Sequence, residues 1–309
     1  MNSADLDTKQ TTTSELIKIC VRDENRDVEK HFFCEKRQLV SKMRYFEQYL
    51  PTDEAPNESS GKSKNEHKKK REGMDMHVYC DIVVFEWLME YINNHQPKLQ
   101  IDNIISILVS ADFLQIQQLL QECIDYFCKH INDVLLLPID LSCLHEKLLH
   151  EISRHITLHQ FLHLKDDKNK LTANIACYKL QDLLHSYTKT SMHAATDTTE
   201  NVEEDNELYY CVYCKELYTM EQYKKIECHQ SPTYVAFHGQ VTAKHCAHKK
   251  WDINKYLLCL RLHSHSWKEI FWHLWSLTRP PLFCTQCQSY FVLPHFNHCA
   301  THSKLPTLD

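Results

Sequence analysis

Two Cys-x2-Cys pairs stand out in the last third of the chain, Cys211 with Cys214 and Cys284 with Cys287. Such a turn sets two thiols on one side of a tight knuckle, spaced like two corners of a zinc tetrahedron. Large side chains follow each pair three and four residues on: Leu217 and Tyr218 after the first, Tyr290 and Phe291 after the second. An apolar residue there can pack beneath the metal. The second pair has local partners, since Cys284, Cys287, Cys299 and His302 make a complete four-donor set within nineteen residues. His295 and His298 compete for its last positions. The first pair is followed by Cys228, and His238 or His245 could complete its set. The two pairs could instead share one ion, as in a zinc ribbon with a long insertion; separate sites rank ahead. A RING arrangement fits poorly, because its central His-x2-Cys-x2-Cys step is missing. Four protein donors close the tetrahedron and leave no position for water, so the two zinc ions expected here are structural. They would supply much of the folding energy of residues 207–303.

Other chemistry is weaker. HEKLLH resembles a zinc-protease motif, but His145 and His150 are five apart. That places them about 140° apart round a helix, where they cannot readily share a metal. His155, His159 and His163 would form a stripe on a continuous helix, although Thr157 and Leu158 put that continuity in question. The deaminase signature is missing: no His-x-Glu precedes either pair in the right context, and Phe283, not proline, precedes Cys284. The residues therefore read as those of a non-enzyme. KHCAHKKWDINKY sets Lys244, Lys249, Lys250 and Lys255 among aromatics, a small basic patch that could meet phosphates. A net charge of −6 argues against a generic DNA-coating protein.

The chain has 309 residues and is 43% hydrophobic, enough for two or three domains with a sizeable core. Its only glycines are Gly61, Gly73 and Gly239, which excludes the Gly-rich loops of dinucleotide-binding folds and P-loops. Fifteen cysteines and 22 histidines go with a polar N-terminus that lacks a signal-peptide core, and no run of 18 apolar residues exists. The expectation is an intracellular chain, not bound in a membrane, whose thiols are kept for metal or packing.

The elements follow from periodicity. Ile17, Ile19 and Val21 alternate with Lys18, Cys20 and Arg22, predicting a strand, and Phe32, Phe33 and Cys34 suggest a second. Leu39, Met43, Phe46 and Leu50 recur at helical spacing. Residues 51–73 hold almost no apolar side chain and read as a disordered insertion; within it His67–Arg71 is a candidate nuclear import signal or a solvated charge run. HVYCD predicts a short strand. Helical faces follow at Phe85, Leu88, Met89 and Ile92, then at Ile104, Ile105, Leu108 and Val109. After a turn at ADFLQ comes a third at Leu120, Cys123, Ile124, Phe127 and Ile131. More helices run over 133–190, and residues 191–206 read as a polar, acidic linker. WKEIFWHLW predicts a core helix packing on the knuckles.

This order resembles a BTB/POZ domain. VEKHFFCEKRQLVSKMRYFEQYL looks like its strand feeding a helix with a "YF…L" turn, and NIISILVSADFLQIQQLLQECIDYF looks like its hallmark helical pair. Residues 15–303 further resemble the family of the SANT and BTB domain regulator of class-switch recombination. The residues that carry this are ICVRDENRDVEKHFFC, VVFEWLMEYI, PKLQIDNIISILVSADFL, YYCVYCKEL and FNHCATH after CTQC. The resemblance supports Cys228, His238 and His245 as retained positions. The chain departs from that family by starting at the BTB domain, with no room expected for a SANT domain upstream, which puts any DNA- or histone-linked role of SANT in doubt here.

The expected fold class is α+β and mostly helical. A BTB domain at 15–132 leads to a helical extension at 133–190, and a Cys/His-rich zinc-binding domain follows the linker. The resemblance implies a nuclear regulatory adaptor, also cytoplasmic in part, acting as a homodimer through BTB and recruiting a corepressor. A substrate adaptor of a cullin-type ubiquitin ligase and a zinc-dependent nucleic-acid binder are the alternatives.

Overall fold

Along Leu16–Asp23 (β1) the side chains of Ile17, Ile19 and Val21 are buried on one face, the alternation expected of a half-buried strand. Val28–Glu35 (β2) pairs with β1 antiparallel. Helix α1 (Lys36–Lys42) begins the crossover that a parallel neighbour requires, and Asp75–Tyr79 (β3) then pairs with the other side of β1 in parallel. The computed structural model describes residues 15–24, 26–50, 75–188 and 208–296. The expected insertion at 51–73 with its basic run, the linker at 191–206, and His298, Cys299 and His302 lie outside the described residues.

The helix expected over Leu39–Leu50 is two shorter pieces. Met43 leaves the helical region and a 3-10 turn follows at Arg44–Phe46, yet Leu39, Met43, Phe46 and Leu50 are all buried. The spacing was satisfied by a tight turn that still returns these side chains to the core.

Helix α2 (Ile82–Ile92) starts at Asp81, whose carboxylate accepts the N–H groups of Val83 and Val84. Its predicted face of Phe85, Leu88, Met89 and Ile92 is buried. Helix α3 (Ile104–Phe113) runs three residues into the expected turn, which falls at Leu114–Ile116 with Gln115 at φ +56°. Ile107 is buried where Val109 is half-buried, so the α3 face is rotated from the expected one. In α4 (Gln117–Lys129), Leu119 replaces the expected Leu120 in the core beside Cys123, Ile124 and Phe127. Helices α5 (Ile131–Leu136), α6 (Glu146–His155) and α7 (Leu158–Leu162) complete a first unit ending at Lys165.

The histidine stripe is broken as Thr157 suggested. Thr157 and Gln160 form a capping box that starts α7 afresh. His145 caps α6. Its Nδ1 accepts from the Leu148 N–H (3.3 Å), and its Nε2 lies 2.6 Å from Asp112 Oδ2.

The second unit begins at Asp166. It contains α8 (Thr172–Thr188), the hairpin β4 (Leu208–Tyr210) and β5 (Leu217–Thr219), and α9 (Met220–Lys225). A second hairpin follows from β6 (Tyr234–Val235) and β7 (Val241–Thr242). Helices α10 (Ile253–Leu262) and α11 (Trp267–Leu277) precede a third hairpin of β8 (Leu282–Cys284) and β9 (Ser289–Phe291). Helix α8, grouped by the sequence with the extension before the linker, packs on α11 in this unit. Tyr187 fixes the pair by donating its hydroxyl to the Thr278 carbonyl at 3.1 Å. Ile270, Phe271, Leu274 and Leu277 form the buried face of α11. Gln222 of α9, 1% exposed, donates through Nε2 to the carbonyls of Leu277 (2.6 Å) and Arg279 (3.1 Å). No helix among the described residues is long and apolar enough to cross a membrane.

Candidate metal centre

The first Cys-x2-Cys pair occupies the turn of the β4–β5 hairpin. The Cys211 N–H donates to the Glu216 carbonyl at 2.9 Å, and Lys215, directly after the second cysteine, sits at φ +59°. This left-handed residue reverses the chain within the four-residue turn and leaves both thiols on the same side. Two later segments converge on the turn. Cys228 is anchored by its N–H to the Ala243 carbonyl (2.7 Å), and Val212 N–H donates to the Cys246 carbonyl (2.9 Å).

These contacts gather Cys211, Cys214, Cys228 and His245, with donor atoms all within 4.8 Å of one another. Cys211 and Cys228 thiols are 3.9 Å apart, and Cys214 Sγ lies 3.4 Å from His245 Nδ1. A tetrahedral zinc with ordinary bond lengths has a sulfur–sulfur edge of about 3.8 Å and a sulfur–nitrogen edge of about 3.5 Å. The three cysteines are buried, with Tyr218, and Tyr209 and Tyr223 pack against them. The Tyr218 ring stacks on His245 at 4.8 Å.

The electrostatics suit a cation. Burial pushes the Cys211 thiol up, but N–H donors from Cys246, Cys214 and Tyr213 outweigh it and hold the group below the ordinary thiol value. Burial pushes Cys214 up to about 12. It also holds His245 below its ordinary value, which favours the neutral ring that ligates metal.

His238, the other candidate, is exposed beside Gly239 in the turn between β6 and β7, and its Nε2 lies 3.0 Å from Gln240 Oε1. It is not in the group. Its nearness in sequence was misleading because the β6–β7 hairpin carries it outward before the chain returns at His245. Sequence reasoning missed Cys246, whose N–H points at Cys211 Sγ (3.5 Å) while its own side chain is exposed. Nothing in residue type distinguishes a backbone donor.

The second pair repeats the first. Cys284 opposes Ser289 as Cys211 opposes Glu216, and Gln288 takes φ +53° where Lys215 takes +59°. Phe283 and Tyr290 face each other across the hairpin with ring centroids at 4.9 Å. Cys284 and Cys287 are half-buried. They are not within the four-donor group, and their expected partners Cys299 and His302 fall outside the described residues. His295 Nε2 lies 3.5 Å from Glu216 Oε1.

Of the basic patch, Lys249, Lys250 and Lys255 are exposed, while Lys244 is held by protein groups. A cavity of about 450 Å³ beside the centre is lined by Tyr209, Tyr213, Tyr218, Tyr223 and Tyr234. Lys244 lines it too, with Nζ 5.5 Å from the Tyr223 ring centroid and donating to the Tyr223 carbonyl (3.3 Å). Trp251 stacks on Tyr210, and Asp252 caps α10. Lys244 is therefore engaged by protein groups.

Residues 17–124 match the family model described as SANT and BTB domain regulator of CSR, BTB domain. The matched segment runs from β1 into α4 and ends well before the metal centre. It is similar to an interaction module that is generally non-enzymatic, of a kind that commonly dimerises and binds other proteins.

Proposed function

We propose, taking residues 17–124 as a BTB domain, that this chain is a non-enzymatic adaptor: a nuclear, negative regulator that pairs through BTB and recruits a corepressor. Its C-terminal unit is a platform held together by structural zinc. The observation that carries the reading is the joining of a BTB module to a closed Cys3His donor set, which leaves no coordination position for a substrate. The repeated hairpin geometry at Cys284 and Cys287 supports a second ion, completed by Cys299 and His302. On the BTB side, β2 and β3 are the outer strands of the described sheet, and Leu16, Phe33 and Tyr79 are exposed. Pairable edges and exposed apolar side chains are what an isologous partner or a recruited protein would cover. The engagement of Lys244 within the tyrosine cavity weighs against phosphate binding there.

Native mass spectrometry of the full-length chain tests this. A dimer with at least two zinc ions per chain is expected, and Cys214→Ser is expected to lose one ion while the BTB helices persist. A zinc-free monomer overturns the reading. Co-purification with a cullin in place of a corepressor would select the ligase-adaptor alternative. Affinity for nucleic acid falling steeply with salt would select the nucleic-acid alternative.

A further inference from the structure

The outward face of the BTB sheet holds a second group of mixed donors, in the other unit from the centre above. Strand register creates it. Cys20 on β1 is directly opposite His31 on β2 and His77 on β3, and Glu29 is the diagonal neighbour across β2. Strand alternation puts Cys20 on the face of Lys18 and Arg22, away from the core of Ile19 and Val21. A side chain there should be open to water, yet Cys20 is only 2% exposed. Its thiol donates to Glu29 Oε1 at 2.7 Å, and His31 Nε2 lies 3.9 Å from the same oxygen. Cys20, Glu29 and His31 have donor atoms all within 4.8 Å of one another.

We infer that Cys20, Glu29 and His31 bind a divalent transition-metal ion of the zinc class on the open face of the BTB sheet. Thiolate, imidazole and carboxylate together select zinc-like ions over calcium or magnesium, which take oxygen donors. Three protein donors leave the fourth position open, unlike the closed set of the C-terminal unit. His77, exposed and in register on the far side of Cys20, is the nearest imidazole on that face outside the trio. The site is therefore one where water, or a donor from a bound partner, completes the metal at a surface suited to docking. Leu16 and Phe33 lie on the same face, both 63% exposed. The inference does not depend on the C-terminal zinc, because its donors belong to the other unit.

The test is zinc counting by native mass spectrometry on the full chain, using zinc alone as the probe. Cys20→Ser keeps a hydroxyl to donate to Glu29, and His31→Ala alters an exposed position, so circular dichroism is expected to match the parent for both. Each is expected to bind one zinc fewer than the parent, and Cys20→Ser with Cys214→Ser two fewer. Affinity at this site should fall by more than the roughly 10–100-fold that losing a supporting hydrogen bond causes. In the cobalt-substituted protein, Cys20→Ser should remove part of the thiolate charge-transfer absorbance. An unchanged count in Cys20→Ser overturns the site, and so does loss in that variant with none in His31→Ala. Loss in Cys214→Ser alone would leave the C-terminal centre standing and remove this one.

Discussion

Replacing Gln222 with alanine is expected to loosen the C-terminal unit far more than its chemistry suggests. This amide closes two structures at once. Its Oε1 accepts the Thr219 N–H (3.0 Å) and completes the capping box of α9, while Nε2 donates to the carbonyls of Leu277 and Arg279 at the end of α11. Alanine removes all three hydrogen bonds and leaves a buried N–H and a buried carbonyl without that partner. A net hydrogen bond contributes about 1 kcal/mol, and stranding a buried polar group costs about 1–3 kcal/mol. Partial relaxation brings the expected loss to about 2–4 kcal/mol. Four of the five tryptophans, Trp251, Trp267, Trp272 and Trp275, lie in this unit, so tryptophan fluorescence during urea unfolding reports on it. With a slope of about 1–3 kcal/mol per molar urea, the midpoint should fall by about 1 M or more. Gln118→Ala, at an exposed position of α4, is the control and should shift the midpoint little. A Gln222→Ala midpoint within error of the parent would refute the reasoning, showing that the buried amide is not what joins the knuckle to α11.

Three further outcomes are expected. Phe85→Ala, which empties a fully buried site against Phe32 (centroids 5.0 Å apart), should cost the BTB unit about 3–5 kcal/mol, read by thermal unfolding. Asp166 accepts N–H donors from Lys170, Leu171 and Thr172, and although burial alone would raise its carboxyl, these bonds hold it below the ordinary carboxylate range. Asp166→Asn should therefore cost about 1 kcal/mol at neutral pH. The gap from the parent should stay constant down to about pH 5 and close as pH falls through the lowered folded value. Chelating the proposed zinc at pH 7 should expose the α11 tryptophans Trp267, Trp272 and Trp275 to quencher while the helical signal of the BTB unit persists; simultaneous melting of both units would refute separate folding.

Much of the first unit was legible because its signals are local. Strand alternation at Ile17–Val21 and the three-or-four spacing in α2 need only neighbouring residues. Errors arose where several apolar residues adjoin, as at Ile104–Val109 and Leu119–Leu120, since such runs leave the phase of the buried face to the packing partner. The antiparallel and parallel partners of β1, and the packing of α8 on α11, are non-local and carry no spacing signature. At the candidate centre the sequence singled out the three cysteines that the structure gathers, and left His238 and His245 open. The choice is made by the β6–β7 hairpin, through backbone hydrogen bonds that any residue type can make. The Cys20 group escaped notice altogether because it exists only once β1–β2 register is known.

The two units differ in how much chain must exist before they can close. In the sheet, Lys18 is opposite Asp75, so β1 cannot gain its parallel neighbour until the polypeptide has grown past residue 79. The Cys3His set has its longest span from Cys211 to His245, with Cys228 between, and its first two donors are adjacent in one turn. A chain emerging from the ribosome therefore builds the BTB sheet as a slow, long-range closure. If the Cys3His set holds a metal as proposed, the chain can capture it stepwise, first as a two-thiol chelate, then with Cys228, and last with His245. On the proposed reading of that set as a zinc site, scarcity of zinc during synthesis would leave a folded N-terminal half joined to an open C-terminal one, a form exposed to proteases at α11 and at the tyrosine cavity.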